Sequence, residues 1–370
     1  LGVAIFYCES LISLPQNLVE VRPTVLMAVP RIFDKVYGKV RDAATGGSFL
    51  KRMVFGWAVG ICHRVVRHLY LDRRPPLFLR IPWRIADRLL LSQVRERTGG
   101  RLRFCISGGA ALNPGVMEFF WAMGIPIYEG YGLSETSPIL ALNRQGRVRP
   151  GYVGPPLLRT WNDKPFLKLA PDGEILAYGP NIMQGYWNDE EATREAFDAE
   201  GYFCTGDVGE FDPQGRVKIT DRKKEIIVTH GGKNVAPQPI ENLLLADPYF
   251  EQAVLIGDHR NHITALVVPN YPNLRTWCAR KHLPCTTAAE MAAHPKVYAK
   301  LMKHVNHVNA HLSNYEKVRK IAILEREMTQ ENGLLTPSLK IKRRVVTEVY
   351  ADVIERLYGG STKSGILPVK

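Results

Sequence analysis

Residues 102–128, with the sequence LRFCISGGAALNPGVMEFFWAMGIPIY, determine the fold class of this chain. The apolar segment Leu102–Ser107 predicts a strand, and the small residues of Gly108–Ala111 predict a loop. Asparagine at 113 and proline at 114 are typical of a helix start, and apolar side chains recur every three or four residues until Gly124. Ile125–Tyr128 predicts a second strand. We therefore expect a strand–helix–strand unit in a mostly parallel α/β sheet.

The composition is that of a globular protein with roughly two or three domains. The chain has 370 residues, of which 45% are hydrophobic and 23% charged, and this excludes disordered, collagen-like and small disulfide-rich proteins. Its six cysteines form no CxxC pair and no zinc spacing, which predicts reduced thiols in a cytoplasmic protein. The longest apolar run, Met53–Cys62, is about half as long as a membrane span.

The start of the chain predicts a piece of a longer protein. Leu1–Tyr7 has the apolar pattern of a buried strand already under way, without a signal-peptide pattern. Residues 1–37 predict short apolar strands that alternate with turns. Residues 49–98 predict helices that are interrupted at Pro75 and Pro76.

Changes in sequence pattern predict three parts. Residues 1–150 are expected to be the remainder of an α/β domain, with a basic helical insertion at 39–103. Residues 151–222 contain short apolar segments between turn signals, which predict a small barrel or a small sheet. Residues 223–370 combine helical patterns with strands and predict a small α+β domain.

Positive charge is concentrated in one window. The net charge is +13, and residues 39–103 hold fifteen lysines and arginines against four acids, a local charge of +11. Phe55, Trp57, Phe78 and Trp83 lie among these charges. The pattern permits a solvated helical hairpin whose arginines cover its own apolar surface, or peripheral docking on the anionic inner face of a membrane. Nucleic-acid binding is disfavoured, because no helix-turn-helix, zinc-finger or RNP pattern is present.

Four motifs contain residues suited to chemistry, and the first is Tyr128–Thr136 (YEGYGLSET). It follows the carboxyl end of the second strand, where α/β sheets bind ligands. Tyr131 offers a flat face for a base, Ser134 offers a hydroxyl for a phosphate, and Glu135 offers a carboxylate for Mg²⁺. By itself the stretch also permits an ordinary turn.

The other three motifs lie further along the chain. Gly201–Gly209 (GYFCTGDVG) places Asp207 between glycines, where it could accept hydrogen bonds from ribose hydroxyls or close a β-turn. Asp221–Asn234 (DRKKEIIVTHGGKN) predicts a binding loop or a charged linker. Leu335–Arg344 (LTPSLKIKRR) predicts a basic loop before a helix, which is usually solvated.

Together the order and spacing of the four motifs resemble the adenylate-forming superfamily of acyl-CoA synthetases, firefly luciferases and nonribosomal-peptide adenylation domains. The chain resembles the AMP-forming long-chain fatty acyl-CoA synthetases over nearly all its length. The sequence motifs that carry this resemblance are Ile12–Leu18, Glu20–Thr24, Val29–Phe33 and Thr229–Val235. The resemblance implies a truncated large N-terminal domain, with a parallel sheet and a small barrel, followed by a small mobile C-terminal domain.

The resemblance also implies roles for individual residues. The implied ATP- or AMP-binding residues are Ser107, Gly108, Gly109, Ala110, Glu129, Gly130, Tyr131, Gly132, Ser134, Asp207 and Arg222. The implied catalytic residues are Lys340, Glu135 and Ser134, and Glu135 is also the implied Mg²⁺ ligand. The implied hinge is Lys224, the implied CoA-binding loop contains Gly231 and Gly232, and the implied gate of a fatty-acid tunnel is Phe33. Leu339 stands where many relatives have glycine, so Lys342 is the alternative to Lys340.

The implied reaction activates a long-chain fatty acid with ATP to acyl-AMP and then transfers the acyl group to CoA. A lysine and Mg²⁺ near the α-phosphate would stabilise the negative charge of the transition state. A hinged domain could supply Lys340 for the first step and Gly231 with Gly232 for the second.

Two alternatives to this function remain open. One is a fatty acyl-AMP ligase that passes the acyl group to a carrier protein. The other is a basic, membrane-binding module without activity, since residues 44–48 do not match the family's phosphate loop. The expected partners are fatty acid, ATP, CoA and an anionic membrane surface, and no nucleic acid.

Overall fold

The computed structural model describes residues 2–10, 13–45, 49–336 and 340–359. The chain forms two compact units that divide between Ile219 and Thr220. Among the helices of the described ranges, none is both long and apolar enough to cross a bilayer.

A four-stranded sheet organises the first part of the first unit. Strands β1 (Val25–Ala28), β2 (Phe104–Ser107) and β3 (Ile127–Gly132) are parallel, and β4 (Ile139–Leu142) pairs antiparallel with β3 at the end of the order β1-β2-β3-β4. The helices here are α1 (Leu14–Val21), α2 (Pro30–Thr45), α3 (Phe49–Leu69), α4 (Leu77–Ala86), α5 (Ser92–Arg97) and α6 (Pro114–Ala122). A π-helical turn at Asp87–Leu91 joins α4 to α5.

The predicted strand–helix–strand unit is confirmed by β2, α6 and β3. The Asn113 side chain caps α6 by accepting a hydrogen bond from the Gly115 amide at 2.8 Å. Phe119 and Phe120 are buried, and Trp121 Nε1 donates to the Ile127 carbonyl at 2.8 Å. The helix is thereby fixed on the sheet, with its loop at the carboxyl end of β2.

Two predictions for the first 37 residues are wrong. Residues 2–8 form no strand, and Ile5, Phe6 and Tyr7 are exposed, because no described strand pairs with them and a lone strand is not stable. The second prediction, short strands that alternate with turns over residues 1–37, is wrong on both sides of β1, because α2 follows β1 and the segment before it forms α1. Its proline at 15 suits the first helical turn, and Arg22 ends the helix in a left-handed conformation.

The second half of this unit is an open sheet. Of the small barrel or sheet that the turn spacing predicted, the sheet is therefore confirmed, and the barrel that the resemblance implied is wrong. The elements are β5 (Thr160–Trp161), β6 (Lys164–Pro165), β7 (Leu167–Leu169), β8 (Glu174–Ala177), α7 (Glu190–Glu195), β9 (Phe203–Phe211) and β10 (Val217–Arg222). Strands β5 and β6 form a separate hairpin, and the other four strands pair in the order β10-β9-β8-β7. Among the described residues the outer strands β10 and β7 do not pair. Small barrel folds commonly need about five strands, and this sheet has four.

The second unit is α+β, as predicted. Its strands are β11 (Ile227–Val228), β12 (Asn234–Val235), β13 (Phe250–Ile256), β14 (Ile263–Pro269) and β15 (Val318–Ile323). Its helices are α8 (Pro237–Leu245), α9 (Tyr271–Arg280), α10 (Ala288–Ala292), α11 (Pro295–Asn309), α12 (Arg343–Val349) and α13 (Ala351–Tyr358). Strand β14 lies between antiparallel β13 and parallel β15. Every residue of β14 is buried, because apolar clusters cover both faces of this sheet.

Candidate active site

Two buried polar side chains meet at the carboxyl ends of the parallel strands. Ser107 on β2 and Glu129 on β3 are partners in the strand register, and both are almost fully buried. Within the described residues, Ser107 Oγ and Glu129 Oε2 have no hydrogen-bond partner. Buried polar atoms are nearly always paired in folded proteins, so these two atoms indicate a place where a polar ligand group would be bound.

The other carboxylate oxygen of Glu129 holds the loop that precedes α6. Glu129 Oε1 accepts a hydrogen bond from the Leu112 amide at 3.0 Å. Burial raises the pKa of the Glu129 carboxyl from 4.5 to about 7, although the Leu112 amide favours the charged form. A buried carboxyl with a pKa near neutrality changes its charge inside the candidate site.

We expect Glu129→Gln to alter how stability depends on pH. The unfolded chain releases the Glu129 proton near pH 4.5 and the folded chain near pH 7, so the wild type loses stability as pH rises between these values. The loss is on the order of 3 kcal/mol. The variant has no carboxyl to titrate at this position. Between these pH values its free energy of unfolding, measured with urea, should therefore rise by that amount relative to the free energy of unfolding of the wild type. A constant difference across this pH range would contradict the prediction, and Glu191→Gln on the exposed face of α7 is the matched control.

Close backbone packing shapes the first motif. A Cβ atom at Gly132 would lie 1.6 Å from the Pro138 carbonyl oxygen, so only glycine fits where β3 meets the following turn. Gly109 in the loop after β2 has a φ of 86°, a left-handed conformation that favours glycine. Gly108 and Gly130 are half-buried, whereas Gly109 and Ala110 are exposed. The two loops therefore present backbone beside Ser107 and Glu129.

Segment 181–186 holds the turn that contains Ser134 and Glu135. Tyr186 donates its hydroxyl to Glu135 Oε1 at 3.1 Å, and the Met183 amide donates to the Glu135 carbonyl at 2.7 Å. Asn181 Nδ2 donates to the Thr136 carbonyl at 2.7 Å. Sequence reasoning missed these contacts, since this segment showed only a turn pattern. The adjacent aromatic residues Tyr186 and Trp187 were a signal that the sequence offered.

Glu135 is suited to bind Mg²⁺ together with a substrate. It is half-exposed, and Ser134 beside it is exposed. The described residues contain no cluster of three metal-ligating acid, histidine or cysteine side chains. Mg²⁺ is commonly bound by one or two carboxylates together with substrate phosphates, so a lone, firmly held carboxylate is compatible with such a site.

The first and second motifs are joined by a buried hydrogen bond. Tyr131 on β3 donates its hydroxyl to Asp207 Oδ2 on β9 at 2.9 Å, and both residues are buried. The Asp207 amide donates to Thr205 Oγ1 at 3.1 Å, and Thr205 in turn donates to the Ile175 carbonyl at 2.7 Å. The tyrosine ring and the carboxylate are therefore held in fixed positions relative to each other.

Phe33 lies in the core of the first unit. It is 1% exposed on α2 and packs edge-to-face against Phe120, with ring centroids 5.5 Å apart. Its implied role as a tunnel gate remains a prediction.

The second unit contains the remaining candidates. Arg222 at the end of β10 and Lys224 in the next turn are exposed. Gly231 and Gly232 are exposed at the tip of the β11–β12 hairpin, where the Thr229 amide donates to the Lys233 carbonyl at 3.0 Å. The hairpin thus presents two residues without side chains at its tip.

Lys340 lies three residues before the first residue of α12. Its carbonyl accepts from the Thr336 amide at 2.8 Å, and its own amide donates to Thr336 Oγ1 at 3.0 Å. The Lys340 side chain is exposed. Pro337, Ser338 and Leu339, including the position where many relatives have glycine, lie outside the described residues.

A mostly parallel sheet with buried polar groups at the carboxyl ends of its strands, followed by an α+β unit, agrees with the architecture expected of an adenylate-forming protein. The model of the AMP-binding enzyme family matches residues 1–187, and that of the AMP-binding enzyme C-terminal domain matches residues 224–362. The chain belongs to the AMP-binding enzyme family.

Curated relatives and solved structures agree with this assignment. The chain is 38% identical over 96% of its length to the long-chain-fatty-acid–CoA ligase FadD15 of Mycobacterium bovis, covering 58% of that protein. It is 31% identical over its whole length to the peroxisomal long chain acyl-CoA synthetase 7 of Arabidopsis thaliana, covering 53% of it. The chain therefore spans little more than half of these relatives. The A-PCP didomain of a carboxylic acid reductase from Segniliparus rugosus, in complex with AMP, shares the fold, with a TM-score of 0.70, 22% identity, and coverage of 96% of this chain and 44% of that one.

Proposed function

We propose that this chain is part of an AMP-forming long-chain fatty acid–CoA ligase. The observation that carries the proposal is the hydrogen bond between Tyr131 and Asp207, at 2.9 Å. It places an aromatic ring near the end of β3 beside a buried carboxylate in the middle of β9. A nucleoside would use such groups for stacking and for its ribose hydroxyls. Relatives named as long-chain fatty acid ligases support the choice of substrate.

In this proposal the nucleotide lies against the loops after β2 and β3. The unpaired oxygens of Ser107 and Glu129 would bind polar atoms of adenine, and Gly108–Ala110 and Gly130–Gly132 would line the pocket with backbone. Asp207 and Arg222 would bind the ribose. The buried, fixed carboxylates supply orientation, because their neighbours prevent them from turning toward water.

The remaining roles concern the phosphates and the thiol. Ser134 would donate to a phosphate oxygen, and Glu135 would hold Mg²⁺, which neutralises phosphate charge when bound. Lys340 would stabilise charge at the α-phosphate, Lys224 would be the hinge, and the Gly231–Gly232 loop would contact CoA. ATP and CoA are thus proposed as substrates.

Asp207→Ala tests the nucleotide site. We expect the affinity for ATP or AMP to fall by roughly 1.5–3 kcal/mol, because the ribose hydroxyls lose a charged acceptor. Isothermal titration calorimetry measures this difference. Unchanged affinity would remove Asp207 from the proposed site.

Tyr131→Phe is the companion variant. It keeps the aromatic ring and removes only the hydroxyl that orients Asp207. We expect a smaller loss of affinity than for Asp207→Ala. Tyr131→Ala, which also removes the stacking face, should lose more than Tyr131→Phe.

We also propose a cytoplasmic protein in peripheral contact with the inner face of a membrane. A long-chain fatty acid partitions into the bilayer, so an enzyme docked there meets its substrate at high local concentration. The local charge of +11 over residues 39–103 supports attraction to anionic lipid.

A further inference from the structure

Helix α4 exposes a strip of large apolar side chains. Leu77 and Phe78 are each 73% exposed and Ile81 is 66% exposed, and the strip continues through Ile85 to Leu89 in the π-helical turn that follows α4. Spacings of four residues place Leu77, Ile81 and Ile85 on one side of the helix. We call these five residues the α4 strip. Contiguous exposed apolar surface of this kind marks an interaction site.

The opposite side of α4 is fixed to the rest of the first unit. Leu79 is buried in a cluster with Ile61 and Val65 of α3. Trp83 Nε1 donates to the Ala122 carbonyl at 3.2 Å. Because α4 already has a buried face, the α4 strip is a second apolar face on the same helix.

Arginines flank the strip on one side. Arg80, Arg84 and Arg88 follow each other at four-residue spacing, so they lie along one edge of the strip. Beside them, Arg74, Pro75, Arg80, Trp83 and Arg84 line an open cavity of about 290 Å³. Arg80 Nε donates to the Pro75 carbonyl at 2.6 Å, which fixes one wall of this cavity.

Asp72 and Asp87 are the acids closest to these arginines in the sequence, and among the described residues neither forms an ion pair with them. Asp87 is bound by Arg95 through two hydrogen bonds, at 2.6 and 2.9 Å. Asp72 accepts from Gln145 Nε2 at 3.0 Å. The surface is therefore apolar and positively charged at once.

We infer that α4 lies in the interface of an anionic bilayer, with the α4 strip at the boundary of the acyl chains and a lipid phosphate in the arginine-lined cavity. Helices at membrane interfaces combine these two features, and arginine binds phosphate through several N–H groups at once. A second copy of the chain is disfavoured as the partner of this surface, because a two-fold symmetric contact would bring the same arginines of both copies together. The inference deepens the proposed membrane contact and rests on that proposal, whereas the proposed nucleotide chemistry can fail or hold independently.

Sedimentation with lipid vesicles tests the inference on the 370-residue chain. We expect binding to vesicles of phosphatidylcholine with phosphatidylglycerol, little binding to phosphatidylcholine alone, and a decline with rising salt. Arg73, Arg74, Arg84 and Arg88 changed together to Gln should lower binding by roughly tenfold or more. Phe78→Ser combined with Ile85→Ser should lower binding to a similar extent. All six residues are exposed, so thermal unfolding should stay unchanged.

Matched controls separate this surface from overall charge and apolarity. The charge control changes four exposed basic residues of the second unit to Gln: Arg280, Lys281, Lys296 and Lys303. The apolar control is Leu243→Ser with Val349→Ser. Both controls should bind vesicles like the wild type. Equal binding by the α4 variants and their controls, or equal binding to both vesicle types, would overturn the inference. So would self-association without lipid that the Phe78→Ser and Ile85→Ser changes abolish. Nucleotide affinity, measured in parallel, reports on the proposed function alone.

Discussion

Lys340→Ala in the intact enzyme should lower fatty-acid-dependent exchange of pyrophosphate into ATP by on the order of 10²–10³. The lysine would no longer stabilise negative charge at the α-phosphate during adenylate formation. Thioester formation from supplied acyl-AMP should fall much less, because that step does not break the α–β phosphate bond. The measurement is the ratio of the variant rate to the wild-type rate, compared between the two half-reactions.

The local structure makes this variant easy to interpret. The Lys340 side chain is exposed, and the hydrogen bonds to Thr336 come from backbone atoms of Lys340. Replacement by alanine therefore keeps both hydrogen bonds between Thr336 and residue 340. Lys342 is also exposed and lies two residues further on, so Lys342→Ala is the matched control. Equal losses in both half-reactions for Lys340→Ala, or a larger exchange defect for Lys342→Ala, would assign the role elsewhere.

Arg343→Leu should destabilise the chain by about 3–5 kcal/mol, because it leaves a buried carboxylate without its cation. The Arg343 guanidinium binds both oxygens of Glu241, at 2.8 and 3.0 Å, and donates to the Leu255 carbonyl at 2.9 Å. Glu241 is buried, and its Oε1 also accepts from the Leu255 amide at 2.7 Å. The free energy of unfolding in urea measures the loss.

A double variant distinguishes the loss of pairing from the loss of packing. Arg343→Leu with Glu241→Leu removes both charges, and we expect it to recover most of the stability. Arg344→Leu, at an exposed neighbour, should change little. If the double variant were as unstable as Arg343→Leu alone, the unpaired charge would not be the cause. Since Arg343 begins α12 three residues after Lys340, this pair also fixes the frame from which Lys340 extends.

Much of the architecture was predictable from the sequence, because its signals are local. The asparagine and proline that start α6, the apolar spacing along it and the glycine that ends it all act within one helix, and the parallel pair β2–β3 follows from them. Strands β13, β14 and β15 were predictable for the same reason, as continuous apolar segments. Local signals failed where pairing decides the structure. They predicted a strand at residues 1–7, and they could not decide between a barrel and a sheet for residues 151–222.

The sequence by itself determined the class of the fold, the order of the motifs and the types of side chain that could perform the chemistry. Only the tertiary structure brought Tyr131 to Asp207 across 76 positions, Tyr186 to Glu135 across 51 and Arg343 to Glu241 across 102. It also left the α4 strip exposed, although the apolar pattern of that helix would suit a core equally well. Each of these features depends on which distant surface a residue packs against, and no local pattern along the chain carries that information.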